Sequence, residues 1–453
     1  MKAKLSLIAL TLAVVLSGCA SHDDPHYSEQ VQDNLGENVA WAEQSSDAEQ
    51  ASTLLQLLPL PEVQTLIDEA LRNNPGLQQT FITLKQSRIS ETLANADRLP
   101  DASLSFTGDK SKNTDTQYTT SVDVSWEVDV WNKIGNSVSA AEFATQSYGA
   151  TFQYAQATLA ASVMQAYVDI IAEQKILQIE KNKLVALENS ELVILQRYRA
   201  GLGSLDDLDT ARTSSASTKA SIAEYENNLA NGVRALAVLL GRTSLTVDDL
   251  YVDADFPAVV QPLASLPNQD LARRPDLIAA YYDIKSNESS ELVAYKNLLP
   301  SLSISGSISD SGDTPALSLL KDPVWTLLGG ITAPLFQGGT LRANLASAEL
   351  DTLNSWWAYQ ETLLTAVQEV QATLDLENSY QVRQQYIQQA YENAKRSQDN
   401  YSSQYRQGLA DVLDFLSVTQ TTYSLEAQLV ELQRNQLSNR IDLGLALGLG
   451  VSS

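Results

Sequence analysis

Much of this chain is written twice. Tyr198-Arg199-Ala200-Gly201-Leu202 recurs as Tyr405-Arg406-Gln407-Gly408-Leu409, and Leu99-Pro100, followed by alternating small and apolar residues, recurs as Leu299-Pro300. Both recurrences are spaced by about 200 residues. Proline follows the same plan, with none between Pro100 and Pro257 and none after Pro334. Each half therefore reads as a short strand-like region followed by a very long proline-free region. A repeat of this period fixes the architecture before any single motif does.

The strands are two-faced. Over 118–130, Tyr118, Thr120, Val122, Val124, Trp126, Val128 and Val130 alternate with Thr119, Ser121, Asp123, Ser125, Glu127 and Asp129. Period two means one apolar and one polar face. A weaker partner lies upstream at Ala102, Leu104 and Phe106, across a polar tip at 108–115. In the second half Leu302, Ile304 and Ile308 alternate with serines, 310–315 make the next tip, and a noisier strand covers 324–336. A Ser/Thr-rich polar side suits a water-filled lumen, and Tyr118 and Trp126 suit an interfacial aromatic girdle. A globular sheet with one wet face fits the alternation too. Small closed barrels need about eight strands, and open sheet edges are not tolerated in lipid. Four strands in a membrane therefore require several copies of the chain to share one barrel.

The helices are too long for a globular domain. Residues 340–407 contain neither Gly nor Pro, and a helix of that length reaches about 100 Å. Leu363, Val367, Val370 and Leu374 follow coiled-coil spacing. The first-half equivalent is 137–199, interrupted only by Gly149. Gly201 and Gly408 suit helix C-terminal turns, after which helices return over 205–240 and 411–446. Shorter helices at 61–97 and 268–297 complete each half.

Residues 1–19 read as a targeting segment, with Lys2 and Lys4 ahead of an apolar run too short to span a bilayer. It ends Leu16-Ser17-Gly18-Cys19, which resembles a bacterial lipobox with Cys19 as the lipidated first residue of the mature protein. Ala20 follows where an Asp would resemble an inner-membrane retention signal, so the outer membrane is the expected address. Cys19 is the only cysteine, so no disulfide forms within the chain. His22 and His26 are the only histidines. The body of the protein thus lacks the usual zinc ligands and the commonest general base, and no nucleophile elbow, phosphate loop or dinucleotide fingerprint occurs. An enzyme, a cofactor and a metal site are not expected. Residues 20–58 carry many acids and no Lys or Arg, and read as a mostly extended tether. The formal charge of −25 argues against nucleic acid as a partner.

In order and at repeat spacing, four markers resemble the TolC family of outer-membrane efflux ducts, in its lipoprotein branch. They are Trp126-Glu127-Val128-Asp129-Val130-Trp131, Arg273-Arg274-Pro275-Asp276, Pro334-Leu335-Phe336-Gln337-Gly338-Gly339 and the paired Tyr-Arg-x-Gly turns. Many relatives have Gly and Arg where this chain has Asn132-Lys133. The resemblance implies an α+β membrane protein: a homotrimer with a shared twelve-stranded β-barrel, four strands per chain, continuing into an α-helical coiled-coil periplasmic tunnel. It implies passive export of small molecules such as drugs. A periplasmic adaptor and an inner-membrane pump, of the resistance-nodulation-division type, would be the partners, with outer-membrane lipid around the barrel. Metal efflux and type I secretion stay open within this reading, and a lipid-anchored structural coiled-coil protein outside it.

The expected organisation is a signal at 1–19, a tether at 20–58, a first repeat at 59–256 with its β-hairpin at 102–131, and a second at 257–453 with its β-hairpin at 301–336. The resemblance places the Gly201 and Gly408 turns at the periplasmic tip, where the tunnel narrows. Asp411 and Asp414 follow one turn and share a helical face; Asp206, Asp207 and Asp209 follow the other. Repeated around an axis, such carboxylates form rings that attract cations. Tyr198, Arg199, Tyr405 and Arg406 are candidates to latch neighbouring helices. Helix capping explains Asp206 and Asp411 about as well. Asp123 and Glu127 are candidate lumen acids that tune selectivity, or simply a solvated strand face.

Overall fold

A computed structural model describes residues 26–35, 53–57, 61–112, 114–250, 256, 273–316 and 318–451. The targeting segment with Cys19, and most of the 20–58 stretch, lie outside the described residues. Inside that stretch Tyr27–Leu35 forms a helix, α1, where an extended tether was expected. It is held there by its neighbours: Tyr27 stacks on Trp356 at 5.3 Å, and the Ser28 amide donates to Glu288. A single turn, α2 (Leu54–Leu57), follows.

The next helices are α3 (Pro61–Asn73) and α4 (Pro75–Ala96), a break in what the sequence presents as one helix. Pro75 has no N–H to continue the ladder, and Asn74 caps α4 by accepting from the Leu77 amide at 3.0 Å. The hairpin β1 (Asp101–Asp109) and β2 (Gln117–Val128) leads into α5 (Lys133–Arg199), which turns back as α6 (Leu205–Leu239). The same order then recurs: α7 (Pro275–Lys296), β3 (Ser301–Gly312), β4 (Val324–Thr332), α8 (Thr340–Arg406) and α9 (Val412–Ala446). Helices α4 and α7 each have 22 residues, α5 and α8 each 67, and α6 and α9 each 35.

The described residues fall into two compact units. One gathers α1, Gln86–Ser147 and Ala280–Tyr359, and contains a four-stranded antiparallel sheet in the order β1-β2-β3-β4. The other gathers Tyr148–Ala279, Gln360–Ser453 and the segment from α2 to Lys85. Its core joins Val63 and Ile67 of α3 to Val163, Met164, Tyr167, Ile170 and Ile171 of α5, Val233 and Leu236 of α6, and Leu437 and Ile441 of α9. Along α8 the fully buried line is Thr352, Tyr359, Ala366, Val370 and Glu377; of the four seam positions expected from spacing, only Val370 is on it. Glu377 is on that line because its carboxylate accepts from Arg440 and Asn439 of α9.

All four long-hairpin ends use the same stop. At Gly201, Gly241, Gly408 and Gly448 φ lies between 72 and 75°. Each is followed by a residue whose amide reaches five residues back, as in Leu202 to Arg197 and Leu409 to Gln404, the Schellman arrangement. A side chain at Gly241 would also sit 2.5 Å from the Asn73 carbonyl oxygen, whereas one at Gly201 would meet nothing within 4 Å. Gly201→Ala should therefore cost about 1–2 kcal/mol of left-handed strain. Gly241→Ala should cost about 1–3 kcal/mol more, because the clash is with backbone. Thermal unfolding of the two variants side by side checks the order.

Candidate functional site

The sheet has a dry face and a wet one. Partners opposite each other across a ladder share a side, so the registers assign both faces. Leu104, Phe106, Val122, Val124, Trp126, Ile304, Ile308, Trp325, Leu327 and Ile331 lie on one face, and most stand more than one-third exposed. Ser103, Ser105, Thr119, Ser121, Asp123, Ser125, Ser303, Ser305, Ser307 and Ser309 lie on the other. That face is knitted by hydroxyls: Ser105 to Ser121 at 2.8 Å and Thr119 to Ser311 at 3.0 Å. The noise in the fourth strand resolves into two intrusions, Val324 and Leu328, opposite Ser309 and Ser305.

Aromatics mark both ends of the dry face. Phe106 and Tyr118 stack at 6.0 Å near the hairpin tips. At the other end the Trp126 indole donates to the Arg98 carbonyl at 3.1 Å, and Trp131 donates to that of Pro300 at 2.7 Å. An apolar band between aromatic girdles is the pattern that lipid-facing β-sheet surfaces carry.

Asp310 breaks the pattern and shows why it can. Sequence spacing puts it in the tip, yet it lies inside β3, on the dry face, opposite Thr120. It is only 8% exposed and accepts from the backbone amides of Lys321 and Asp322. The longer second loop folds back over this carboxylate and supplies its hydrogen bonds, which a buried charge requires.

The two lumen candidates differ in surroundings. Asp123 is exposed on the wet face and accepts from the Ser121 hydroxyl at 2.6 Å. Glu127 pairs with Lys133 at 2.6 Å, so its charge is largely countered within the chain. Asp129, which the alternation puts on the wet face, lies beyond β2; its carboxylate accepts from the amides of Ile134 and Gly135 and caps α5. Asn132 takes φ of 57° in the same turn. The Asn132-Lys133 departure thus has a local use: a left-handed turn and a cation for Glu127.

At the hairpin turns the carboxylates divide. Asp411 is the N-cap of α9 and accepts from the Leu413 amide at 2.8 Å. In the first half the capping acid is Asp207, not Asp206: Ser204 and Asp207 form a reciprocal capping box. The reason is spacing, since a box needs the acid three residues after the cap. Asp206, Asp209 and Asp414 stay exposed, and Asp209 approaches Arg212 at 3.9 Å.

The latch between helices is made by a residue outside the expected four. Arg197 donates to the Tyr405 carbonyl at 3.2 Å, and its guanidinium lies 5.1 Å from the Tyr405 ring centre. Tyr405 is buried and stacked flat on Phe415 at 5.6 Å. Burial pushes its hydroxyl above the usual tyrosine range, against the opposing pull of Arg197. Tyr198, Arg199 and Arg406 face solvent in the single chain. The two turns are alike in sequence only from the tyrosine onward: Gln404 stands where Arg197 does, so only one half can clasp the other. That mismatch was the available signal.

The outer membrane efflux protein family matches the chain over 66–242 and 266–449. The chain belongs to this family. It is 26% identical to the probable outer membrane lipoprotein SilC of Salmonella typhimurium, over 99% of each chain. It is 28% identical to the cation efflux system protein CusC of Escherichia coli K12, over 86% of this chain and 87% of that one. Among solved structures, the outer-membrane channel OprN superposes with a TM-score of 0.82 at 22% identity, over 92% of this chain and 98% of that one. The protein is an outer-membrane efflux channel, and the cell outer membrane is its location.

One further marker acquires a role in this channel. Arg274 has a side chain only 3% exposed. It grips Asp276 through two nitrogens, Glu369 of α8 at 2.8 Å and the Ala446 carbonyl at the end of α9 at 3.0 Å. Burial alone would lower its pKa, but the carboxylates of Asp276 and Glu369 outweigh it and the guanidinium is held above its usual value. Arg274 is the pin joining the start of α7 to both later helices.

Proposed function

We propose that the channel is a homotrimer in which the four-stranded sheets of three copies close one twelve-stranded barrel, and that the two halves of each chain are structural repeats. The observation that carries this is a sheet with a dry outer face, a hydroxyl-lined inner face and two unpaired edges. Such a sheet has no stable place in lipid until its edges are joined. In this reading Cys19 carries the lipid anchor, and the long helical hairpins line a tunnel in the periplasm. Small molecules, drugs among them, pass through without chemistry, delivered by an inner-membrane pump of the resistance-nodulation-division type through a periplasmic adaptor. The carboxylates at the hairpin turns form the narrow end. The name of one relative, the cation efflux system protein CusC, favours a second cargo class, cations, for which rings of exposed acids are suited.

Planar-bilayer conductance of the purified protein is the test. A small cation-selective conductance is the expected result. Confirmed insertion with no conductance would favour a structural, lipid-anchored coiled-coil protein instead.

A further inference from the structure

The two halves of the chain carry enough information to set the register of a strand pair that the single chain does not contain. Helices α4 and α7 start at Pro75 and Pro275, and strands β1 and β3 at Asp101 and Ser301, 200 residues apart in both cases. After the hairpin tips the offset changes. Strands β2 and β4 start at Gln117 and Val324, and helices α5 and α8 at Lys133 and Thr340, 207 apart in both cases. The second tip is therefore seven residues longer, and everything on either side of it corresponds without further gaps.

Within the chain the halves meet where β2 pairs with β3, with Val124 opposite Gly306 and Ser125 opposite Ser305. The only other way to join a first half to a second is β4 of one copy against β1 of the next. Advancing the β2 residues by 207 and moving the β3 residues back by 200 transfers the observed register to that junction. We infer that β4 joins β1 of a second copy of this chain with Ile331 opposite the partner subunit's Phe106, and Thr332 opposite the partner subunit's Ser105. This rests on the shared-barrel reading and adds to it the pairing itself.

Three independent features agree with this register. The strands run antiparallel, since an even number separates them. The faces match: Ile331 and Phe106 both lie on the dry face, Thr332 and Ser105 both on the wet one, whereas a one-residue slip would invert every side chain. The edge strands are also short by equal amounts. Strand β4 begins where β2 does but ends three residues sooner, and β1 ends three residues sooner than β3. The missing residues, 333–335 and 110–112, are those whose counterparts are held by the β2–β3 ladder. On assembly both edges extend by these three residues, with Pro334 contributing a carbonyl only. Leu335, 91% exposed in the single chain, then lies opposite the partner subunit's Ala102.

The test is disulfide trapping in the full-length protein. Directly opposed side chains have Cβ atoms about 4.5–5.5 Å apart and diagonal ones about 7–8 Å, and a disulfide needs about 3.5–4.5 Å. Ser105→Cys with Thr332→Cys is compared with Ser105→Cys with Gly330→Cys, which is shifted by two residues on the same face. Each single variant controls for Cys19. Native mass under reducing conditions establishes first that each variant assembles. The expected result is several-fold more covalent dimer and trimer on a non-reducing gel from the first pair. An assembled protein in which the shifted pair links better, or neither pair links, overturns the register. A monomer by native mass overturns the shared-barrel reading itself.

Discussion

Replacing Arg274 by alanine is expected to lower stability by about 3–5 kcal/mol, the usual result of removing one partner from a buried ion pair. Two carboxylates and a carbonyl lose their donor at once: Asp276, Glu369 and Ala446. The lower part of the range is expected, because Glu369 is 45% exposed and water will solvate it when the guanidinium is gone. Arg274→Lys should recover little. A point charge on a flexible stem cannot bond Asp276 through two nitrogens while reaching across to Glu369 and Ala446. Urea unfolding followed by helical circular dichroism, at fixed protein concentration, measures the loss. A change under about 1 kcal/mol would show that Arg274 is not the pin described here.

The second large effect is expected at the turns. Asp411→Ala with Asp414→Ala should raise single-channel conductance and weaken the response to added cations, since both acids are exposed beside the α9 start. Asp411 has two jobs, and they can be separated. Alanine removes the cap on the Leu413 amide, worth about 1 kcal/mol. Asparagine keeps the cap and removes only the charge. Asp411→Asn with Asp414→Asn should therefore reduce cation preference with less change in opening. Arg197→Ala should do the converse: it releases Tyr405, loosening the clasp while leaving the acids in place. If all three leave conductance, selectivity and cation response at wild-type values, the turns are not the narrow end.

Much of the fold was legible because the order of elements recurs, as the paired sequence motifs do. Glycines at 201 and 408 carry the positive φ their positions announced, and the alternation expected over 118–130 falls on β2 as far as Val128, with Asp129 and Val130 beyond it. Asp310 reads as tip because a charge on a lipid-facing strand is costly, and only the returning loop makes it acceptable. Asn74 reads as mid-helix only when the helical pattern is carried through Pro75; its cap on the Leu77 amide, three residues on, is local. The tyrosines and arginines of the repeated motif looked equivalent, whereas burial selects Tyr405 and a neighbouring residue, Arg197, supplies the bond.

Period, length and composition are local properties, and the sequence carried them unaided: recurring motifs, alternating strands, two helices each of more than about 60 residues and the turns between them. The capping acids at the turns were set by spacing too, since their partners lie two or three residues away. Which side chains clasp across helices was decided by tertiary structure: Arg197 to Tyr405, Arg274 to Glu369 and Ala446, and Arg440 to Glu377. Those contacts depend on what a distant part of the chain brings within about 3 Å, the reach of a hydrogen bond, and no spacing along the chain encodes that distance.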